Sequence, residues 1–560
     1  MMRSMRSGRM LLSTCLGVLG LGLGLGSCGK ATDGTDLLLD SNTNWLKRCE
    51  VDSECSGSLR CYCGQCTQPC AAVNECSLLS GAGCSASGPA LCGDQAGAGG
   101  LCVMECGNDG HCAADFTCNA NQCVPRPTPS EGPCAAIGRP TWDGVFESIA
   151  ADLDVLDAAD SRFARYFTVA DRWRSPGCSS SLDPARLALS KLTNSLSRNA
   201  LVVQPEAIDA DRTVYRIDLR DYDWNQVVSV GGQSYPDAWA ALIASDPFAL
   251  PFVGEEANFA TGKTGTDRPV LFVSSFIAAG TRSEVYYALT GVPPTQEQLL
   301  AELGIGAEFP GLPNLQVGFT EGGREFVAQN WEVQVRAGNI WQVSEFGRGE
   351  SSLFETPLEI PLGQRELIFT LPNGLHAFAF MSSDGQRLDT WQATPDLAER
   401  DGAARAPRSN LRRHSGGVAV RDEVRQFLAE NPERFDPTTA QLIRERYRSD
   451  AELQNALYGI NRLNREALEA FGIVPALPEP ITFVFADFDG DLTLADAAGE
   501  LLVSEDELLD ELSNLSPQLG VLDGGSISRT DFASLFVATT CIMTVVLENQ
   551  VDISACDEAL

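Results

Sequence analysis

Fourteen cysteines crowd the stretch from Cys49 to Cys123: Cys49, Cys55, Cys61, Cys63, Cys66, Cys70, Cys76, Cys84, Cys92, Cys102, Cys106, Cys112, Cys118 and Cys123. Large aliphatic residues are sparse between them, while Gly, Ser and Asn are common. Such a stretch buries too little apolar surface to fold unaided and needs cross-links or metal. In two places the cysteines fall six apart twice in succession, at Cys49–Cys55–Cys61 and at Cys106–Cys112–Cys118, with Asp52 and Asp109 third after the first. Zinc is the rival to disulfides, because Cys63-Gly-Gln-Cys66 has ligand spacing. Further CxxC pairs and neighbouring histidines are scarce, however, and His111 reads as a solvated loop residue. Disulfides made in an oxidising compartment are the expectation.

The start of the chain points to such a compartment. Arg3, Arg6 and Arg9, with no acidic residue among them, precede the apolar run from Leu11 to Gly26, the pattern of an export signal. Leu25-Gly26-Ser27-Cys28 then resembles the lipobox of bacterial lipoproteins. That resemblance implies a signal peptide over residues 1–27, lipidation of Cys28, a tether over 28–48 and loss of Cys15 with the signal. An ordinary secretory signal with a chance cysteine is the alternative. Buried acyl chains contribute about 0.8 kcal/mol per methylene, so a triacylated terminus would stay in a membrane. Gly29 stands where inner-membrane lipoproteins carry Asp, so the resemblance implies an outer-membrane lipoprotein facing the periplasm or the exterior.

Cleavage removes three arginines and makes the chain more acidic than the −34 of the whole, so lipid rather than charge must hold it at the membrane. A field of that sign repels phosphate backbones, and no nucleic-acid partner is expected. The expected partners are the membrane, through the N-terminal lipid, and a protein or cell-surface partner. Oligomeric state is left open.

The cysteine repeats resemble the small cysteine-rich repeats of exported myxobacterial proteins, related in pattern to Dickkopf-type cysteine-rich domains. Parity supports their oxidation. Without Cys15 and Cys28, eighteen cysteines remain; fourteen can pair within 49–123, and Cys134 with Cys178 and Cys541 with Cys556 are candidate local pairs.

Residues 124–139 are rich in Pro and read as a linker. Beyond it aliphatic and aromatic periodicity sets in. Val145–Phe167 reads as helical, with Phe146, Ile149, Leu153 and Leu156 three and four apart. A helix is expected over Leu187–Leu196, strands over Val214–Leu219 and Pro269–Ser274, and a capped helix after Thr295. Strands follow near Trp331–Val335 and Ile340–Val343, and a hairpin turns at Pro372-Asn373-Gly374. From Asp422 helices dominate, announced by Asp436-Pro437 and by a capping box at Ser449–Glu452. Phe532–Leu547 falls short of the roughly 20 residues that span a bilayer and reads as a buried core helix. The expected fold class is multidomain: a small disulfide-rich module, then an α+β domain over 140–395, then a mostly helical C-terminal region over 396–560.

Three blocks resemble a bacterial family of exported proteins, many of which carry a c-type haem motif: Ala188–Ser197, Val214–Arg220 with Trp224, and Leu367–Leu375. The family's Cys-x-x-Cys-His falls near Asn410-Leu-Arg-Arg-His414, so His414 stands at the axial-ligand position while Asn410 and Arg413 replace both thiols. The 396–560 region thus starts as a degenerate cytochrome-like segment in which covalent haem c is excluded. His414, in an Arg-rich, Gly-flanked stretch, is expected as a solvated loop residue, with retained haem ligation as the weaker alternative.

Other motifs are fragmentary. Gly262-Lys263-Thr264 lacks the first glycine of a phosphate loop. Asp487, Asp489 and Asp491 imitate a calcium loop, yet counting from Asp487 puts Leu492 at position 6, and counting from Asp489 puts Leu494 there with Glu500 at position 12. They are weak calcium candidates, and an acidic turn into a helix is the default. The acidic pair within Thr493–Leu512 would repel DNA and reads as structural. No Gly-x-Ser-x-Gly elbow is present, His376 has no marked partner, and no two carboxylates stand out as a catalytic pair. No cofactor and no catalytic residue are therefore expected. A binding or structural lipoprotein leads, ahead of a degenerate haem protein and a carboxylate- or metal-dependent hydrolase. Intact mass with and without reductant should differ by nine disulfides' worth of hydrogen; free thiols within Cys49–Cys123 would contradict the stapled module.

Overall fold

The computed structural model describes residues 138–546, apart from 174–181, 251, 253, 306–312, 322, 334–337, 347–351, 360–362, 393–402 and 474–478, together with short strands between residues 60 and 125. The signal, Cys28 and the tether lie outside the described residues, as do Cys134, Cys178, Cys556 and half of the module's cysteines. In the module, Arg60–Tyr62 pairs with Gln65–Thr67, Ala82–Ser85 with Gly100–Met104, and Phe116–Asn119 with Gln122–Pro125. These antiparallel registers set Cys61 opposite Cys66, Cys84 opposite Cys102 and Cys118 opposite Cys123.

The body mixes helices with two main sheets and is of α+β type. Its first helix, α1 (Trp142–Val155), opens where the Thr141 hydroxyl accepts the Gly144 N–H at 3.2 Å. It buries Trp142, Val145, Phe146, Ile149 and Leu153. The helical pattern expected to Phe167 stops early, because Ala164–Thr168 is a fully buried strand, β1. Helical spacing of apolar residues was a fair reading up to Leu153. The β-branched and aromatic end of the segment instead pairs with two other strands.

A four-stranded sheet results: β1, β2 (Glu206–Ala207), β3 (Val214–Asp218) and β4 (Val270–Phe272), in the order β4-β1-β3-β2. β1 runs antiparallel to β3 and parallel to β4. Successive strand residues point to opposite faces, and here each face belongs to a different core. Ala164, Tyr166, Val214, Val270 and Phe272 join one core; Phe167, Tyr215, Ile217 and Leu271 join the other. The expected strand at Pro269–Ser274 is shorter than its apolar run, since Val273 already begins α3 (Val273–Gly280).

The second core also holds α2 (Asp183–Ser195), α3 and a six-stranded antiparallel meander. The meander runs β5 (Leu315–Glu321), β6 (Arg324–Val333), β7 (Gly338–Glu345), β8 (Arg365–Thr370), β9 (His376–Met381) and β10 (Arg387–Leu388), each paired to the next. The β8–β9 turn falls at Pro372-Asn373-Gly374 as expected. Gly374 has φ +93°, and a Cβ there would stand 3.0 Å from the Leu463 carbonyl, so glycine is required twice over.

The helical region contributes to three buried clusters, one of which gathers Val424, Leu428, Ala440, Ile443 and Tyr447 with Val327, Phe346 and Leu353. Leu453, Leu457, Ala467, Leu468 and Ile481 pack into the meander core, while Phe488, Leu492, Leu501, Phe532 and Phe536 pack into the α1 core. Thr390–Gln392 even pairs with Ala403–Arg405 across the boundary expected at 395/396. The elements used below are α4 (Arg408–Arg413), α5 (Pro480–Phe488), α6 (Leu494–Leu501) and α7 (Arg529–Val546). Phe532 and Phe536 are fully buried, in keeping with a core helix, and no helix among the described residues is long and apolar enough to cross a membrane.

One buried ion pair fastens α5 to α2. Lys191 Nζ lies 2.9 Å from Glu479 Oε1, both side chains at most 5% exposed, and Glu479 Oε2 accepts the Thr482 N–H at 2.6 Å to cap α5. Removing one partner strands a buried charge, whereas removing both does not. Lys191→Met should lower the unfolding free energy by about 3–5 kcal/mol in denaturant titrations. Lys191→Met with Glu479→Gln should recover most of that loss.

Candidate functional site

The residues that resembled a haem site meet inside the protein around one carboxylate. β8 carries Glu366 into the core, and α4 ends with His414 as its C-cap residue. His414 Nε2 lies 3.2 Å from Glu366 Oε1, Asn410 Nδ2 donates to the same oxygen, and Arg413 Nη1 stands 3.8 Å from Oε2. Arg413 also pairs with Glu321. The His414 ring stacks on Phe378 with centroids 5.8 Å apart.

His414 is therefore no solvated loop residue: its side chain is 5% exposed and Glu366 is 2% exposed. The sequence around it looked exposed because its partner lies 48 residues away on another element. Nor do these side chains fit a haem. Asn410 and Arg413 are engaged by carboxylates, and the imidazole is held between Glu366 and Phe378.

Burial alone would raise the Glu366 carboxyl. The His414 hydrogen bond and charge outweigh it, with help from Arg413 and Asn410, and hold the group at about 2. His376, on β9, is pushed down to about 3 by burial first and then by the charges of His414 and Lys191. Its backbone N–H donates to Asn464 Oδ1 at 3.0 Å. Among the described residues, His376 Nδ1, His414 Nδ1 and Asn410 Oδ1 are buried and have no hydrogen-bond partner.

The segments Ala188–Ser197, Val214–Arg220 with Trp224, and Leu367–Leu375 are knitted to one another. Asn373 Nδ2 donates to the Asn194 carbonyl at 2.8 Å, Asn194 Nδ2 donates to the Val203 carbonyl at 2.6 Å, and Trp224 Nε1 donates to the Leu196 carbonyl at 3.1 Å. These polar residues hold loops to α2, and the work they do is internal.

Open to solvent, and not foreseen, is a cleft of about 270 Å³ at the edge of the four-stranded sheet. Asp160, Glu206, Arg216, Asp218, Arg220 and Asp221 line it, with Tyr222 and Leu156 beside them. Arg220 reaches Asp160 at 2.8 Å and Asp218 at 2.9 Å, with its guanidinium 4.7 Å above the Phe163 ring. Arg216 pairs with Asp152 at 2.6 Å and with Glu206. Asp221 is raised by burial and then by the nearby Asp218 charge. Four carboxylates face two guanidiniums here, so the cleft is negative overall. The signal was present in the sequence as charges at alternate positions: Arg216 and Asp218 on one face of β3, and Arg220 in the turn Leu219–Tyr222 that follows it.

The calcium candidates are dispersed over a helix end. Asp487 sits in the last turn of α5 and pairs with Arg172, Asp489 is the C-cap residue, and Asp491 is exposed. Glu500, position 12 in the count from Asp489, is 2% exposed and bound in two hydrogen bonds by Arg529 at 2.6 and 2.8 Å. Among the described residues no group of three His, Cys, Asp or Glu side chains is placed to hold a metal ion. Gly262-Lys263-Thr264 ends a helix, Glu255–Thr264, rather than opening one, so it makes no phosphate loop. Cys541, 1% exposed, is disulfide-bonded. Compared with known proteins, the chain matches no family model, no curated protein and no solved structure.

The buried network makes acid sensitivity predictable. His376 binds a proton below 6.5 when unfolded but only near 3 when folded, and Glu366 does so at 4.5 and about 2. Both contributions are complete above those unfolded values and are lost as pH falls through the windows, at about 1.4 kcal/mol per pH unit for each proton. Asp246 and Asp422, raised to about 6 by burial, act in the opposite sense. The difference in unfolding free energy between wild type and His376→Gln isolates the histidine. It should rise by about 1.4 kcal/mol per pH unit up to pH 6.5 and be flat above it.

Proposed function

We propose that the chain is an outer-membrane-anchored exported lipoprotein that acts by binding rather than by catalysis. Cys28 carries the lipid, residues 49–123 form a disulfide-stapled spacer, the Pro-rich linker 124–139 follows, and the α+β body presents the binding surface. The observation that carries this reading is the fate of the ionisable groups. His414, Glu366, Asn410 and Arg413, the set closest to a catalytic constellation, are spent on one another inside the core. A general acid or base must reach its substrate, and these groups do not.

The cleft at Asp218 and Arg220 presents polar side chains to solvent in a concave setting. Its negative balance favours a neutral polar or cationic group over an anion. A segment of a protein or cell-surface partner bearing amines or hydroxyls suits it, and such a partner is within reach of a body tethered to a membrane.

The anchoring half of this reading is tested in cells fed radiolabelled palmitate. The wild-type protein should be labelled and sediment with outer membranes. Cys28→Ala should lose the label and leave the membrane fraction. An unlabelled wild-type protein in the cytoplasmic extract would overturn the proposal.

A further inference from the structure

Gly490 sets the register of the acidic loop between α5 and α6. In a twelve-residue calcium loop a glycine at position 6 takes the sharp turn, and positions 1, 3, 5, 7, 9 and 12 supply oxygen. With Gly490 at position 6, Asp487 and Asp489 fall at 3 and 5, Asp491 at 7, Thr493 at 9 and Asp496 at 12. Leu492, at position 8, exchanges both backbone hydrogen bonds with Ile527, at 2.8 and 2.9 Å.

Ile527 belongs to a second loop of the same plan. Taken as position 8, it puts Gly525 at 6, Ser528 at 9 and Asp531 at 12. In each loop the hydroxyl at 9 donates to the carboxylate at 12, Thr493 to Asp496 and Ser528 to Asp531, both at 2.7 Å. Each position-12 backbone N–H returns a bond to that hydroxyl, at 3.3 and 3.1 Å. At both position-6 glycines a Cβ would crowd a carbonyl, 3.2 Å from Asp487 and 2.6 Å from Val521. Two loops paired back to back, each between helices, form an internal repeat that sequence spacing alone had concealed.

The places a cation needs are taken by the protein itself. Position 1 is Phe485, whose ring lies 3.8 Å from the Arg408 guanidinium; Arg408 is in turn fixed to Thr281 Oγ1 at 2.8 Å and the Ala278 carbonyl at 3.0 Å. Position 3 is Asp487, paired with Arg172, which comes from the turn Ala170–Arg172 packed against α6. The second loop has Gly520, Leu522 and Gly524 at positions 1, 3 and 5, with no side-chain oxygen. We infer that residues 480–546 are a calcium-loop pair in which the Arg172 guanidinium supplies the positive charge an ion would supply. The pair thereby acts as a calcium-independent clasp between the C-terminal helices and the sheet. Arg172 is a positioning residue in this scheme: it offsets the repulsion among Asp487, Asp489 and Asp491 and ties the loop to the body.

Thermal unfolding of the full chain, in excess calcium and in chelator, tests this. The wild type should unfold at the same temperature in both, and titration calorimetry with calcium chloride should show no binding. Arg172→Gln should unfold at a lower temperature in chelator, with part of the loss recovered by calcium, because Asp487 is released to it. Arg172→Lys, which keeps the charge, should stay near the wild type. A wild type that binds calcium or is stabilised by it overturns the inference. So does an Arg172→Gln protein as stable as wild type, or one whose loss calcium leaves unchanged. If that variant does not fold, the wild-type calorimetry still decides the matter.

Discussion

The four-stranded sheet is the wall on which the rest of the body leans. Its strands β1, β3 and β4 send residues to both faces, so they must satisfy two cores at once. Tyr166 and Phe167 are neighbours in the chain but serve different cores, and a one-residue slip in register would exchange every such assignment. Antiparallel pairing of β1 with β3 and parallel pairing with β4 fix that register from both edges. The wall also explains why the C-terminal helices cannot be treated as an appendage: α5 begins in one core and ends in the other, with Ile481 and Val484 on one side and Phe488 on the other.

Buried charge recurs where segments distant in sequence must meet. Lys191 with Glu479, Glu366 with His414 and Arg413, and Glu500 with Arg529 each join different elements. Such pairs gain little net stability over apolar packing but penalise any arrangement that leaves one partner alone. Their distribution suits a body whose cores must be assembled in one way. At the surface, Arg139 meets Glu507 at 2.6 Å, an ion pair between the start of the body and a C-terminal helix.

Much of the local structure was legible. The β8–β9 hairpin followed from Pro-Asn-Gly between apolar runs, and the caps at Thr295, Asp436 and Ser449 stand where side-chain chemistry placed them. These signals are local, made by residues within four positions of one another. What failed was non-local. Ala164–Thr168 looked like the tail of a helix because nothing nearby reveals that Val214 and Val270 flank it. His414 looked solvated because Arg and Gly surround it in sequence, whereas Glu366 and Phe378 surround it in space. Counting the acidic loop from its first carboxylate gave no sign of the second loop, because the Leu492–Ile527 pairing that joins the two is non-local. The cleft was missed because its charges were read as the polar half of an alternating strand.

The packing of the described residues between 140 and 546 around the shared wall predicts that they unfold as one cooperative body. Native-state hydrogen exchange of the backbone amides in β1, α5 and α7 tests it most directly. In one cooperative body the most protected amides of all three exchange with the same free energy and respond in parallel to denaturant. Loss of protection in α5 and α7 at low denaturant, while β1 stays protected, would contradict it.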